Sequence, residues 1–171
     1  SNKAEVQHLS FIPLQLFEEI KNRFIPIATQ KGLKLEYKAG DELEKNYIGD
    51  PLRITQIANN LLSNAIKFTT QGKISLEVNI QNKILSFSIA DTGCGMTHEE
   101  QNKIFKEFTR LKSAQGEEGF GLGLSIVQKL VILLQGNIDT ESQQGKGSKF
   151  SVKIPLGFYI SSASLGTTFV L

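Results

Sequence analysis

An amphipathic helix followed directly by two alternating strands constrains the fold of this chain more than any other feature. Residues 51–68 carry apolar side chains at helical spacing on one broad face, and Asp50-Pro51 is a favourable helix start. Residues 73–80 and 84–90 then alternate apolar and polar side chains, with Gln81-Asn82-Lys83 as a hairpin turn between them. The helix and the hairpin can bury their apolar faces by packing on each other, so we expect a helix layer on a sheet. The helix residues expected to face the sheet are Ile54, Ile57, Ala58, Leu61, Leu62, Ala65 and Phe68.

The rest of the chain predicts further strands and helices. Before residue 51 we expect a strand at 6–12, a helix from Pro13 to Gly32, a strand through Leu33, Leu35 and Tyr37, and a short strand at Tyr47-Ile48. The apolar face of that helix carries Leu14, Phe17, Ile20, Phe24 and Ile27. After the hairpin we expect a capped helix at 97–110, a long helix from about Leu122 to Gln135, and strands near 137–142 and 148–154. This order predicts an α+β fold, a two-layer sandwich with helices on one face of a mixed, mostly antiparallel sheet. We expect residues 1–156 to form one domain, and 157–171 to be a C-terminal extension, either an added strand or the start of a linker.

Composition narrows the class of protein. With 171 residues, 40% hydrophobic and 21% charged, the chain is long enough for one globular domain with a core. The net charge of +2 is too small to favour nucleic acid binding. No apolar run reaches the roughly 18 residues that span a bilayer, so we expect no direct membrane contact from this fragment. Cys94 is the single cysteine, which excludes an internal disulfide and fits a reducing compartment. We expect it to be a small loop side chain without a redox role.

The polar arc of the helix at 51–68 is unusual in composition. Asparagine recurs one turn apart at Asn60 and Asn64, beside Lys67, although asparagine is a poor helix former. An amide oxygen can ligate Mg²⁺ without adding charge, and a nearby lysine can meet phosphate oxygens. A merely solvated helix face is the alternative reading of the same residues.

The first glycine-rich loop reads DTGCGM at residues 91–96. Asp91 stands at the end of a predicted strand, where its carboxylate can accept a hydrogen bond from an exocyclic amine such as adenine N6. Gly93 and Gly95 would let the backbone turn sharply and approach a flat ring. An ordinary Asp-Gly turn after a strand is the alternative.

The second glycine-rich loop reads GFGLGL at residues 119–124 and runs into the predicted long helix. Glycines before a helix N-terminus expose unpaired amides, and the helix dipole favours anions there. The loop is not a P-loop, because no Gly-Lys-Ser/Thr follows it. The alternative is a flexible connector.

Five segments stand in a recognisable order: NLLSNAIKFT (60–69), DTGCGM (91–96), IFKEF (104–108), GFGLGLSIV (119–127) and GKGSKFSVKIP (145–155). They resemble the N box, first glycine box, F box, second glycine box and closing hairpin of the catalytic ATP-binding domain of bacterial sensor histidine kinases. That domain belongs to a superfamily shared with gyrase, the heat-shock chaperone ATPase and the mismatch-repair ATPase. The resemblance covers about residues 8–156 and implies a Bergerat-type ATP-binding fold.

The resemblance implies roles at the metal and the phosphates. Asn64 would ligate Mg²⁺, and Asn60 would hold the water shell of the metal or the phosphates. Lys67 would contact phosphate, and Arg110 would reach the terminal phosphate, so Asn60, Lys67 and Arg110 form the predicted catalytic set. The residues expected to wrap or contact the triphosphate are Gly119, Gly121, Leu122, Gly123 and Leu124.

It implies a second set of roles around the adenine. Asp91 would bind adenine N6, Phe68 would lie against the adenine, and Gly93 and Gly95 would shape that wall of the site. Met96 and Ser148 are also expected to bind the nucleotide. Phe105 and Phe108 would anchor a lid. Residues 111–119 are polar and glycine-rich, so we expect them to be weakly ordered without ATP. Glu107 replaces the proline that is usual in the F box, which changes lid stiffness modestly.

The function implied is that of a protein-histidine kinase that transfers the γ-phosphate of ATP to a histidine. The acceptor would lie on a dimerisation helix that is not in this chain, and an aspartate on a response-regulator receiver domain would take the phosphate next. His8 and His98 lack the family's acceptor context, so we expect both to be structural or solvent-facing, and the chain not to phosphorylate itself. The family implies a cytoplasmic domain, often tethered to a membrane sensor outside the fragment.

Two alternatives from other classes remain. A clamp-type ATPase of the same superfamily needs a general base, and Asn60 stands at the plausible position, where its amide cannot take a proton. A nucleotide-binding regulatory module would bind ATP without transferring phosphate.

Overall fold

The computed structural model describes residues 5–104, 119–160 and 168–170, with the backbone alone given for 119–122, 159–160 and 168–170. The elements are β1 (Leu9–Phe11), α1 (Pro13–Gln30), β2 (Lys34–Ala39), β3 (Tyr47–Gly49), α2 (Pro51–Lys67), β4 (Lys73–Gln81), β5 (Ile84–Asp91), α3 (His98–Lys103), α4 (Gly119–Leu133), β6 (Asn137–Gln143), β7 (Gly147–Pro155), β8 (Gly157–Ile160) and β9 (Thr168–Val170). No helix in these described stretches is long and apolar enough to cross a membrane.

The main sheet has five strands in the order β2-β4-β5-β7-β6. The β2–β4 pair is parallel and the other three pairs are antiparallel. Alternate residues of β4 and β5 are buried, and α1, α2 and α4 supply the other half of the core. The two-layer α+β sandwich with a mixed, mostly antiparallel sheet is therefore confirmed.

The hairpin between β4 and β5 is tighter than predicted. Gln81 pairs with Ile84, so the turn consists of Asn82 and Lys83 alone. Both turn residues have positive φ, 54° and 64°, as the two-residue turn that matches strand twist requires. The register of this hairpin determines that Leu85, Phe87 and Ile89 face the helices.

Helix α1 buries Phe17, Ile20, Phe24 and Ala28. The prediction that Ile27 lies on this face is wrong, because its side chain is 46% exposed. The i, i+4 ladder from Ile20 through Phe24 reaches Ala28, and Ile27 lies one position off that face.

Helix α2 begins as predicted, with the Asp50 side chain accepting a hydrogen bond from the Arg53 amide at 3.1 Å. Its end differs from the prediction. Phe68 is the C-cap residue and is half-buried rather than part of the sheet-facing core, where Ile66 is buried instead. The helical register stops at Lys67, and this frees the Phe68 ring to face the pocket described below.

Helix α3 carries the predicted capping box, in which the Thr97 side chain accepts from the Glu100 amide and the Glu100 side chain accepts from the Thr97 amide. It ends at Lys103, sooner than residue 110, and residues 105–118 lie outside the described part of the chain. The predictions for Phe105, Glu107, Phe108 and Arg110, and for most of the lid, fall there.

Helix α4 differs from the prediction at both ends. It begins at Gly119, so the glycines of GFGLGL lie inside the first helical turns rather than in a loop before the helix. It ends at Leu133, because Gln135 adopts φ 61° and the Gly136 amide donates back to the Val131 carbonyl at 2.9 Å. The glycine-rich segment thus belongs to the helix whose N-terminus it forms.

A second sheet, in the order β1-β3-β8-β9, is not indicated by the sequence. Residues 157–160 form β8, the added strand that was one of the two alternatives for this segment. The strand pairs with β3, where the Phe158 ring stacks on Tyr47 at 5.7 Å between centroids. The boundary between a domain at 1–156 and an extension at 157–171 stays a prediction.

Candidate functional site

Asp91 lies at the end of the inward-facing row of β5. Leu85, Phe87 and Ile89 precede it on the same face, and its carboxylate is therefore turned toward the helices rather than toward water. Burial raises the pKa of the Asp91 carboxyl above its usual value, and hydrogen bonds from the backbone amides of Gly93 and Ser148 offset part of the rise. The Gly93 amide donates to Oδ1 at 2.8 Å. The Asp91 carboxylate is thus a partly desolvated hydrogen-bond acceptor that two backbone amides hold in place.

The DTGCGM loop is fastened to the hairpin between β6 and β7. The Met96 amide donates to the Ser142 hydroxyl at 2.8 Å, and the Gly145 amide donates to the Cys94 carbonyl at 2.7 Å. Gly95 has φ 67°, and a side chain there would collide with the Gln143 backbone. The glycine thus allows the loop to lie directly on the hairpin.

Asn60 and Asn64 of α2 face the N-terminal part of α4. The Asn60 amide nitrogen donates to the Gln56 carbonyl one turn earlier, at 2.9 Å. The Asn64 amide nitrogen is buried and has no hydrogen-bond partner within the described part of the chain. A Cβ built on Gly123 would lie 3.5 Å from Asn60 Oδ1 and 3.8 Å from Asn64 Nδ2. The second glycine-rich segment therefore meets both asparagines with no side chain between.

Lys67 and Phe68 stand at the C-terminal end of α2. The Lys67 ammonium lies 5.3 Å from the centroid of the Phe68 ring and is exposed to solvent. This end of the helix is capped from α1, because Lys31 Nζ donates to the carbonyls of Ile66 and Lys67 at 2.6 and 3.0 Å. Lys31 thus satisfies two carbonyls at the end of α2, directly before Phe68.

One pocket runs between these features, bounded by α2, the DTGCGM loop, α4 and β7. It is lined by Leu61, Asn64, Ala65, Phe68, Asp91, Cys94, Gly95, Met96, Leu124, Ser148 and Phe150. Seven of these, Asn64, Phe68, Asp91, Gly95, Met96, Leu124 and Ser148, are residues that the sequence predicted for the site. The structure brings together parts of the chain that are far apart in sequence.

The remaining predicted residues stand in different relations to the pocket. Asn60, Lys67, Gly93 and Gly123 do not line it. Gly93 packs against the Phe68 carbonyl, the Thr69 hydroxyl and Asp91, so its small size serves packing within the protein. Gly119, Gly121 and Leu122 form the start of α4, where their backbone alone is described. Phe105, Phe108 and Arg110 lie outside the described residues.

Four lining residues were missed by the sequence reasoning: Leu61, Ala65, Cys94 and Phe150. Leu61 lies one helical turn before Asn64, and Ala65 lies one turn after Leu61, which is a signal that all three share one edge of the helix. Phe150 lies two residues beyond Ser148 on the same face of β7, so the strand period was the available signal. Cys94 gave no signal beyond its position inside the loop.

The side chains of the pocket suit a cation that takes few ligands from the protein and the others from water and a bound substrate. No group of three or more His, Cys, Asp or Glu that could hold a metal occurs in the described ranges. Mg²⁺ is commonly bound through one or two protein oxygens, several waters and substrate phosphates. The unpartnered amide of Asn64 beside Gly123 fits that pattern, since rotation of its terminal torsion can present the amide oxygen.

Comparisons with known proteins agree with this geometry. A family model described as "Histidine kinase-, DNA gyrase B-, and HSP90-like ATPase" matches residues 49–157. The sensor histidine kinase RcsC of Escherichia coli (strain K12) is 35% identical over 158 residues, which are 91% of this chain and 17% of that protein. The chain thus spans a minor part of this curated relative.

Two solved structures share the fold. The crystal structure of full-length ShkA in complex with AMPPNP superposes with a TM-score of 0.79 at 26% identity, over 92% of this chain and 33% of that one. The catalytic domain of the histidine kinase ThkA gives a TM-score of 0.74 at 28% identity, over 87% of this chain and 95% of that one.

Proposed function

Because this chain belongs to the histidine kinase-, DNA gyrase B- and HSP90-like ATPase family, we propose that it is the Mg-ATP-binding catalytic domain of a sensor histidine kinase. It would present the γ-phosphate to a histidine on a dimerisation helix of the same protein, and an aspartate of a receiver domain would accept the phosphate next. The observation that carries the proposal is the presence in one pocket of a partly buried acceptor, Asp91, and of Asn64, whose amide nitrogen is buried and has no partner in the described part of the chain.

The Asp91 end would hold the adenine. Its carboxylate accepts hydrogen bonds and cannot donate them while ionised, so it matches an exocyclic amine rather than a carbonyl. Phe68 and Met96 supply apolar surface for the faces of the ring, and Met96 is 5% exposed. The raised pKa of Asp91 is consistent with a water-poor base site.

The Asn64 end would hold the metal and the phosphates. Asn64 would supply an amide oxygen to Mg²⁺, which when bound neutralises charge on the phosphate oxygens. The first four amides of a helix have no intrahelical partner, and in α4 these belong to residues 119–122. Asn60, Gly123 and Lys67 would meet the metal's waters or the phosphates; the roles of Phe105, Phe108 and Arg110 remain predictions.

Phosphotransfer here would rest on positioning and charge stabilisation. The imidazole nitrogen of the acceptor forms the new bond to the γ-phosphorus as the bond to the bridging oxygen of ADP breaks. A water attack needs a base, and Asn60 cannot take a proton. The site thus favours transfer to a histidine over hydrolysis.

The test has two stages. Isothermal titration calorimetry of the chain with ATP, with and without Mg²⁺, should show binding that the metal strengthens. Adding a separate dimerisation-helix protein and γ-labelled ATP should then produce acid-labile phosphohistidine on that protein, with no label on this chain. Rapid phosphate release without phosphohistidine would favour a clamp-type ATPase, and binding without either product would favour a regulatory module.

A further inference from the structure

Ser142 lies outside all five motifs, yet its hydroxyl is a junction of the adenine end. In the register of the sheet, Ser142 is opposite Ser148 and Ser148 is opposite Asp91, so the three side chains form one row across β6, β7 and β5. The Ser142 oxygen lies 2.8 Å from the Met96 amide, 3.1 Å from the Gly147 carbonyl and 2.8 Å from the Ser148 hydroxyl.

One arrangement of the protons satisfies all three contacts at once. A serine hydroxyl has one proton and two lone pairs. The Met96 amide can only donate, so it occupies one lone pair of Ser142. The Gly147 carbonyl can only accept, so it takes the Ser142 proton. The remaining lone pair of Ser142 then accepts the proton of Ser148.

This arrangement changes what Ser148 offers to a ligand. With its proton committed to Ser142, the Ser148 hydroxyl has lone pairs alone to direct into the pocket that it lines. Asp91, beside it, likewise presents acceptors. Two neighbouring acceptors match a ring that carries an amine at the edge it turns toward them, and they repel a ring that carries a carbonyl there.

We infer that Ser142 is a specificity-determining positioning residue, which acts through Ser148 to make the base end of the pocket accept an amino rather than a keto purine. The inference rests on the proposed function, since it deepens the account of the same pocket. Ser142 itself does not line the pocket and touches no part of the ligand in this scheme.

The probes are ATP and inosine triphosphate, which differ at C6 and at the N1 proton but have the same size. In the parent chain ATP should bind more tightly. Ser142→Ala should lower the ATP-over-ITP affinity ratio by about fivefold, the worth of one neutral hydrogen bond, mainly by strengthening ITP as Ser148 becomes able to donate. Ser142→Thr keeps the hydroxyl and should keep the ratio.

Two controls separate this role from general loosening. Ser151→Ala removes a second serine of β7, the strand of Ser148. Ser151 faces away from the helices, opposite Ser88, so its loss should leave the ratio unchanged. In a Ser148→Ala background, Ser142→Ala should no longer change the ratio. If Ser142→Ala does not fold by circular dichroism, Ser142→Cys replaces it, because a thiol accepts hydrogen bonds weakly.

Equal losses for ATP and ITP in Ser142→Ala, or a change of ratio that persists without Ser148, would overturn the inference. These results differ from a failure of the proposed function. If the parent binds neither nucleotide with Mg²⁺, the proposed function fails. If the parent binds ATP but Ser142→Ala leaves the ATP-over-ITP affinity ratio unchanged, this inference alone fails.

Discussion

The two ends of the pocket are built in opposite ways. At the Asp91 end, side chains and backbone groups are joined by short hydrogen bonds that run from the DTGCGM loop to the hairpin of β6 and β7. At the Asn64 end, a buried amide has no partner in the described part of the chain, and the neighbouring helix approaches with a glycine. The Asp91 carboxylate is already held by a hydrogen bond from Gly93, whereas the Asn64 amide nitrogen has no partner among the described residues, so a ligand should affect the Asn64 side chain more.

The largest effect should come from Asn64→Ala. Loss of the amide should weaken Mg²⁺-dependent ATP affinity by about 100-fold or more, since even outer-shell partners of a metal are worth about 10–100-fold. Asn59→Ala is the matched control, because Asn59 lies on the same helix and accepts from Arg23 of α1 at 3.0 Å. Titration calorimetry with and without Mg²⁺ measures both, and parent-like affinity in Asn64→Ala would refute the assignment.

Asn64→Ala should also change the stability of the ligand-free chain. Asn64→Ala should raise the free energy of unfolding by about 0.5–1 kcal/mol, because alanine is the better helix former and no buried amide is left unpaired. Urea unfolding of the ligand-free chain measures this change. A marked loss of stability would mean that the Asn64 amide is satisfied without a ligand.

Asp91→Ala should have the next largest effect, on the choice of base. Removing a charged acceptor should lower the preference for ATP over GTP by about 10–100-fold, the range of a hydrogen bond to an ionised group. Competition binding with the two nucleotides measures the preference. If the ratio is unchanged, Asp91 does not read the base.

The raised pKa of Asp91 predicts a pH dependence of stability in the ligand-free chain. Between the ordinary value of 3.8 and the raised value, the folded state holds more protons than the unfolded state. Stability therefore falls as pH rises through that window, and the cost of the buried charge is fully present above it. Asp91→Asn lacks this term, so its advantage in melting temperature over the parent should grow across the window and then stay constant. A gap independent of pH would contradict a raised pKa.

The smallest effect should come from Lys31→Met, outside the pocket. Loss of the two hydrogen bonds to the end of α2 should cost about 1 kcal/mol and lower the melting temperature by about 2–4 °C. ATP affinity should fall a few-fold, because the Phe68 ring loses its fixed position. Lys31→Arg should keep the melting temperature and the ATP affinity of the parent. Lys21→Met, which removes an ion pair within α1, is the control. If Lys31→Met lowers the stability but leaves the ATP affinity unchanged, the Lys31 cap does not influence nucleotide binding.

Much of this molecule was predictable because its signals are local. The apolar period of α2, the alternation of β4 and β5 and the capping box of α3 each depend on neighbours a few residues away. The family inferred from the order of the motifs is confirmed by the family match over residues 49–157. Apart from Ile27 on α1, the predictions that were wrong lie where elements end, as at Phe68 and Gly119, because competing caps and packing decide an end.

By itself the sequence determined the types of the elements, their order and the chemistry of the motif side chains, because each follows from local period and residue type. The tertiary structure decided which groups share the pocket. Only pairing across the sheet places Ser142 of β6 beside Ser148 and Ser148 beside Asp91, and only the packing of α2 on α4 brings Gly123 against Asn60 and Asn64. The pairing of β8 with β3 is of the same kind. Contacts between distant segments depend on the register and crossing of whole elements, and no short window of sequence carries that information.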